Sequence, residues 1–474
     1  MAGGGFGLIV GAILQLVPRL HSESGVFGGG PQGLDQYVYF SLIQAIWRTG
    51  NGFTYEYPFS LFWPAPPVLL QLPLTVAAWI AKIIGLSLSF EFLRVFGAAG
   101  SGAALWVLAK RLAPSKLWSR WLLFACVFGG GWFSFGAVRE AIRTAGIEGL
   151  TEWPLYVQRS MGALYWWLPY LAQNVVYPLE ATYHALVLGA FAALLVGKFR
   201  TALLLHLLTW FSNPFPAVSL SVPVWLWLLS RVLVPQGIPR RDLLRQLVGW
   251  SLVMAIGLGY YGPFLGQWDV LRELGRMHRV PLAPPPTPFQ LLCLLSPFGW
   301  FFLWSFMTRA TRRAVWISPR WRLLAIIVVS QLMFLGQFWV LGSLAIQPHH
   351  FNRGYLSMAL GAIAVRCVYV TRRNRGNIPR WLKILILTAA IDQAVFFTRE
   401  LPNIQPLCII PRDVAALCEA LRTLPPDQVF ITYDPFWTPY LAGLSRQIPY
   451  NMETNDGHSL VRGAKQNPLL HCCD

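Results

Sequence analysis

Asp35 lies in the run GGGPQGLDQYVYFSLIQA, where a glycine turn leads into an amphipathic, aromatic stretch extending to Trp47. Asp is a preferred helix cap, and a helix N-terminus favours its ionised form, so a purely structural role is available to it. An ionised carboxylate at a membrane interface can also act as a general base that takes the proton of an attacking hydroxyl. A second group of polar residues is QPHHFNR at 347–353, which closes one apolar run and opens the next. Its His349, His350 and Arg353 suit an anionic oxygen, because the guanidinium fork holds phosphate in two-point contact. His184, just inside an apolar run, and Asn213, in the break Ser212-Asn213-Pro214, are polar groups at membrane depth. Such groups are candidates for function, although helix–helix hydrogen bonding accounts for many of them.

These residues sit in a chain of 474 residues that is 55% hydrophobic and 12% charged, half the charge content of an ordinary soluble domain. Apolar runs near spanning length recur almost end to end, at about 2–17, 66–86, 91–109, 121–136, 181–197, 201–212, 215–234, 246–265, 290–308, 323–345, 351–370 and 382–398. The expected fold is an α-helical polytopic membrane protein with about 11–13 transmembrane helices.

The formal charge of +18 falls largely in short loops at 110–120, 198–200, 235–245, 309–322 and 371–383, which contain one acidic residue, Asp242. That placement reads as positive-inside topology, and excludes nucleic acid as the natural partner. It puts the 347–350 segment, the 266–289 loop and the C-terminal end on the extracytoplasmic face of an inner membrane. Parity fails once, near 35–110, where one crossing is unaccounted for. The seven cysteines show no CxxC and no zinc spacing; Cys472 and Cys473 are adjacent at the end of the chain. A divalent metal is possible but not indicated, and no cofactor is expected.

Two domains are expected: a transmembrane domain over 1–398, with 18–64 as its first extracytoplasmic loop, and a small soluble α/β tail over 399–474. In the tail, Asp413–Thr423 reads as a helix, 428–433 as a strand and 435–444 as a second helix. Polar, proline-broken backbone at 161–180 and at 212–216 implies a wet cavity, since unpaired backbone is not tolerated against lipid.

The layout resembles the GT-C superfamily of integral-membrane glycosyltransferases, in particular the protein mannosyltransferases that use dolichyl-phosphate-mannose. The residues that carry the resemblance are Asp35 with Tyr37 and Tyr39, TYEYPFSLFWPAPP at 54–67, the following PPVLLQLPLTVAAWIAKIIGLS, and a next span with Arg94 in the expected place. The resemblance implies a polyprenyl-phosphate sugar donor, a lipid, glycan or protein acceptor, membrane lipids around the enzyme, and inverting chemistry on the outer face. It makes Asp35 the base. Gln36 stands where many relatives are acidic, which argues against a metal-binding acidic pair. Gln36, Glu56, Tyr57, His184, Asn213, His349, His350 and Arg353 are the expected substrate contacts. Trp63, Trp166 and Trp167 could stack on a sugar ring, and Arg272, Arg276, His278 and Arg279 form a second outer basic cluster. The competing expectations are a secondary transporter, which would show internal repeats, and a polymerase or ligase of lipid-linked sugars.

Overall fold

A computed structural model describes residues 25–27, 34–48, 50–57, 66–151, 156, 171, 177–235, 237–269, 271–272, 287–295, 297–341, 346–372, 377–425, 429–430 and 448–449. The chain is an α-helical polytopic membrane protein. In order it forms β1 (Gly25–Phe27), α1 (Leu34–Arg48), α2 (Leu72–Ile84), α3 (Leu86–Leu112), α4 (Lys116–Phe128), α5 (Phe133–Ala145), α6 (Pro178–Leu195), α7 (Phe199–Ser212), α8 (Pro214–Leu233) and α9 (Arg240–Gly259). It continues as α10 (Pro288–Leu295), α11 (Phe298–Met307), α12 (Pro319–Val340), α13 (Tyr355–Thr371), α14 (Arg380–Cys408), β2 (Ile409–Pro411), α15 (Arg412–Arg422), β3 (Val429–Phe430) and β4 (Ile448–Pro449).

Local chemistry sets the boundaries. Pro73 and Pro214 occupy first turns, where a missing N–H costs nothing. Ser115 accepts from Trp118 N to cap α4, and Asn213 accepts from Phe215 N to cap α8. Gly85, at φ 85°, ends α2 with a bond from its N–H to Ala81 O.

Among the described residues five helices are long and apolar enough to cross a membrane: 86–112, 178–195, 214–233, 319–337, and 240–267, in which α9 runs on through a π turn at Tyr260–Phe264. The pair α10 and α11 passes the same test together but bends by 83°. The apolar runs at 66–86, 121–136, 201–212 and 351–370 become helices of 13, 13, 14 and 17 residues. At 1.5 Å per residue the shortest of these reach only about 20 Å, short of a hydrocarbon core of about 30 Å. The run at 2–17 lies outside the described residues.

The chain divides into two compact units. The first holds 1–7, 96–258 and 279–400, and its core joins α3 to α14. Helix α13 is buried around its whole circumference from Tyr355 to Val365, which makes it the central helix of this unit. Bulky apolar side chains remain exposed on its outer helices, among them Val340 at 81% and Met307 at 74%, the surface expected against lipid.

The second unit holds 8–95, 259–278 and 401–474. Here α1 packs on α2: Trp47 Nε1 donates to Ala78 O at 3.1 Å, Trp79 Nε1 to Gly52 O at 2.9 Å, and Lys82 Nζ sits 3.3 Å above the Trp47 ring. Tyr55 and Val68 form an antiparallel bridge, and Tyr260 and Tyr261 donate to Leu69 O and Leu70 O. β1 pairs antiparallel with β2, Gly25 opposite Pro411, so backbone just after α14 shares a two-stranded sheet with backbone of the first loop. Helix α15 begins after Pro411, as expected, and β3 falls within the expected strand, pairing in parallel with β4. The expected helix at 435–444 lies outside the described residues, and α14 runs on past 399 to Cys408.

Candidate functional site

A group of buried polar side chains in the first unit lies where the start of α6 meets the turn before α13. Pro178 opens α6, so Glu180 falls in its first turn, the end that favours a negative charge. Glu180 Oε1 forms an ion pair with Arg353 Nη1, and both side chains are nearly inaccessible, at 8% and 2% exposure. Arg353 Nε donates to His350 O at 2.8 Å, and its guanidinium lies 5.6 Å from the centre of the Tyr183 ring. One turn further along α6, His184 Nδ1 is 2.8 Å from Tyr355 Oη, with the two rings edge to face.

The turn carrying Arg353 is conformationally costly. Gln347 and Arg353 adopt φ of 29° and 43°, values that side-chain-bearing residues seldom take, followed by Gly354 at 79°. Surrounding contacts hold it there. Ser219 Oγ of α8 donates to Phe351 O, and Phe215 and Phe334 pack on the Phe351 ring at 5.1 and 4.9 Å. Tyr355 N donates to Asn352 O at 2.7 Å and Leu356 N to Asn352 Oδ1 at 3.3 Å.

Among the described residues four buried atoms here have no hydrogen-bond partner: Glu180 Oε2, His184 Nε2, Gln347 Oε1 and Asn352 Nδ2. A buried polar atom left unpaired costs about 1–3 kcal/mol. Four such atoms beside a strained turn form an arrangement suited to a polar ligand, with donors and acceptors already desolvated.

Close backbone packing supports the Glu180 end. A Cβ on Gly97 of α3 would lie 2.4 Å from the Ala181 carbonyl carbon, and Ser101 Oγ is 3.3 Å from Ala181 O. The spacing Gly97-x-x-x-Ser101 lets α3 and α6 approach as small-residue interfaces do in membranes.

The other expected contacts divide as follows. His350 is half-buried with its ring 5.1 Å from Phe215, while the side chain of His349 lies outside the described residues. Asn213 is extended, at φ −166°, and its Oδ1 is taken by the cap of α8, 2.9 Å from Phe215 N. The polar residues Gln173 and Asn174, with Trp166 and Trp167, are outside the described residues.

In the second unit α1 opens at Leu34, so Asp35 and Gln36 fall inside its first turn and Asp35 is not the residue that caps it. A carboxylate inside the first turn is still favoured by the helix dipole. The side chains of Asp35 and Gln36 lie outside the described residues, as does Trp63. Glu56 is exposed and Tyr57 buried. Burial pushes the pKa of both Tyr55 and Tyr57 upward, keeping these phenols neutral, and among the described residues Tyr55 Oη is buried without a partner. Arg94 is fully buried and pairs with Glu91 at 2.6 Å, three residues back on α3. Arg272 is exposed and pairs with Asp269; Arg276, His278 and Arg279 are outside the described residues.

Glu180, Tyr355, Gln347 and Asn352 were not among the expected contacts. Glu180 carried the one usable sequence signal, an acidic residue beside a proline at the mouth of an apolar run. A further buried group was also not foreseen. His206 of α7 stacks on Trp250 of α9 with centroids 3.9 Å apart, lies 2.6 Å from Ser221 Oγ of α8, and accepts from Trp210 Nε1 at 3.0 Å.

No protein-family model matches this chain, and no curated protein does. Among solved structures it is similar to the archaeal oligosaccharyltransferase AglB from Archaeoglobus fulgidus in complex with an inhibitory peptide and a dolichol-phosphate. The TM-score is 0.44 at 12% identity, over 96% of this chain and 64% of that one. The apo form of the Archaeoglobus fulgidus oligosaccharyltransferase gives 0.42 at 13% identity, over 94% and 64%. The present chain thus spans about two thirds of the length of those solved chains.

Proposed function

We propose that this chain is a membrane glycosyltransferase that moves a sugar from a polyprenyl-phosphate carrier to an acceptor hydroxyl on the extracytoplasmic face. The observation that carries this reading is the strained turn that buries Arg353 against Glu180, with unpaired donors and acceptors around it. A guanidinium at the mouth of a span, preorganised by its backbone, is the group that an anionic phosphate leaving group needs.

In this reading Asp35 takes the proton of the acceptor hydroxyl as its oxygen attacks the anomeric carbon. The bond from that carbon to the phosphate oxygen breaks, the electron pair stays on the polyprenyl phosphate, and the anomeric centre inverts. Arg353, with His349 or His350, holds the phosphate. His184 and Asn352 face the polar part of the donor, and Glu56 and Tyr57 belong to the acceptor side. Nothing in this scheme requires a metal.

A buried ion pair between spans also suits a secondary transporter. The two readings separate in one assay: transfer of labelled sugar from a panel of polyprenyl-phosphate sugars in membranes, with the intact chain and Asp35→Asn at equal expression. Transfer that disappears in Asp35→Asn supports both the class and the base. Equal transfer by both removes Asp35 from the mechanism, and no transfer by the folded intact chain puts the transporter first.

A further inference from the structure

Arg231 lies in the last turn of α8 and Arg322 in the first turn of α12. The two helix ends are tied together: Trp227 Nε1 donates to Pro319 O at 2.7 Å, and Arg322 Nη1 reaches Ser230 Oγ at 3.4 Å. Arg322 Nη2 donates to Ile317 O at 3.0 Å, and the Arg231 guanidinium lies 4.8 Å from the centre of the Trp227 ring. The charge of Arg322 acts on Arg231.

Arg231 is buried, at 9% exposure, and among the described residues the Nε atoms of both arginines are buried without a hydrogen-bond partner. Among the described residues no carboxylate pairs with either. Asp242, the acidic residue of the adjoining loop, is committed to Arg245 at 3.3 Å. Arg231 gains something from the C-terminal end of α8, but Arg322 stands at the N-terminal end of α12, where the helix dipole is positive and no acidic residue occupies the first turn. Adjacent guanidiniums, partly removed from water and with a helix N-terminus added, form a site short of negative charge. The basic loops around it are solvated and read as topology; these two side chains are distinguished by burial and by unspent donors.

We propose that Arg231 and Arg322 form a binding site for a phosphate-bearing anion, either the headgroup phosphate of an anionic phospholipid or a free phosphate. The chemistry is shared: several acceptor oxygens on one negative centre match two guanidinium forks at the positive end of the α12 dipole. The ends of spans are also where phospholipid phosphates lie, and basic pockets between helix ends take such headgroups.

The test uses the full chain purified in a neutral detergent. Native mass spectrometry and thermal unfolding are recorded with phosphatidylglycerol, with phosphatidylcholine and with inorganic phosphate. The intact chain is expected to retain phosphatidylglycerol over phosphatidylcholine, and Arg231→Gln/Arg322→Gln to lose that preference by on the order of tenfold. Arg240→Gln/Arg241→Gln, which removes the same charge from exposed positions, is expected to keep it. Stabilisation of the intact chain by inorganic phosphate, with no preference between the lipids, supports the site with free phosphate as its source. Two results overturn it: no preference for phosphatidylglycerol and no effect of phosphate in the intact chain, or equal retention by the Arg231/Arg322 and Arg240/Arg241 variants. Where the double variant fails to fold, Arg322→Gln alone is expected to lose part of that preference, and an unchanged preference overturns the site.

Discussion

Glu180 and Arg353, far apart in the first unit's sequence, meet as an ion pair with neither side chain more than 8% exposed. Each is the other's means of staying charged away from water, so losing one leaves the other stranded.

Removing one partner should therefore cost more than removing both. Arg353→Met and Glu180→Gln are each expected to destabilise the chain by about 3–5 kcal/mol, and the double variant by clearly less than their sum. A double-mutant cycle by reversible unfolding in mixed micelles measures the coupling. Strict additivity would mean that the pair contributes nothing as a pair.

The space around them predicts opposite outcomes for two glycines, Gly97 at the α3–α6 approach and Gly259 at the end of α9. Gly97→Leu places side-chain atoms against the Ala181 backbone, which has no rotamer by which to yield, and should lower Tm sharply, by the equivalent of about 1–3 kcal/mol or more. Gly259→Ala, in helical conformation with nothing within 4 Å of the added carbon, should be neutral or stabilising by up to about 1 kcal/mol. Melting curves of the two variants in one detergent compare them directly.

His206 serves three neighbours at once. His206→Leu leaves the Trp210 N–H without its acceptor and takes from Ser221 its side-chain partner, at an expected cost of about 1–3 kcal/mol. His206→Gln, which can accept one of the two bonds, should recover part of the loss. Tryptophan fluorescence during unfolding reports the change, because Trp210 and Trp250 both touch the imidazole.

Cys418 gives a pH-dependent handle on α15. Burial pushes its thiol up to about 11, and the thiolate is the reactive form. A raised pKa means that the thiolate is scarce below about pH 10. Alkylation of Cys418 by a maleimide at pH 8 should then run at least about tenfold slower in the native chain than after denaturation. Mass-spectrometric peptide mapping reads the rate, and equal rates would show that α15 does not shield the thiol.

Much of the helical scaffold was legible in apolar periodicity and punctuation. The runs expected at 181–197 and 215–234 appear as Pro178–Leu195 and Pro214–Leu233, and the break at Asn213 falls where the Ser-Asn-Pro triplet placed it. Span length was less legible. Hydropathy at 66–86 does not reveal that its first part forms an extended bridge from Val68 to Tyr55, which leaves α2 only 13 residues. Helix α2 falls in the region where the crossing count failed.

The candidate site was legible one residue at a time and not as an arrangement. Arg353, His184 and His350 stood out because polar groups at membrane depth are rare. Their partners Glu180 and Tyr355 are specified by packing between helices far apart in sequence, and no local pattern encodes that. The positive φ of Arg353 is likewise imposed by the contacts of Phe351 with α8 and α12, since arginine itself does not favour it.

The pairing of Glu180 with Arg353 also sets a condition on biosynthesis. At about 5–20 residues per second, Arg353 emerges from the ribosome roughly 10–30 s after Glu180. Throughout that interval α6 carries an acidic side chain whose partner does not yet exist. Until α13 arrives, Glu180 has to face water or another polar surface, so integration of the early helices into lipid is provisional and becomes final only when the late ones close over it.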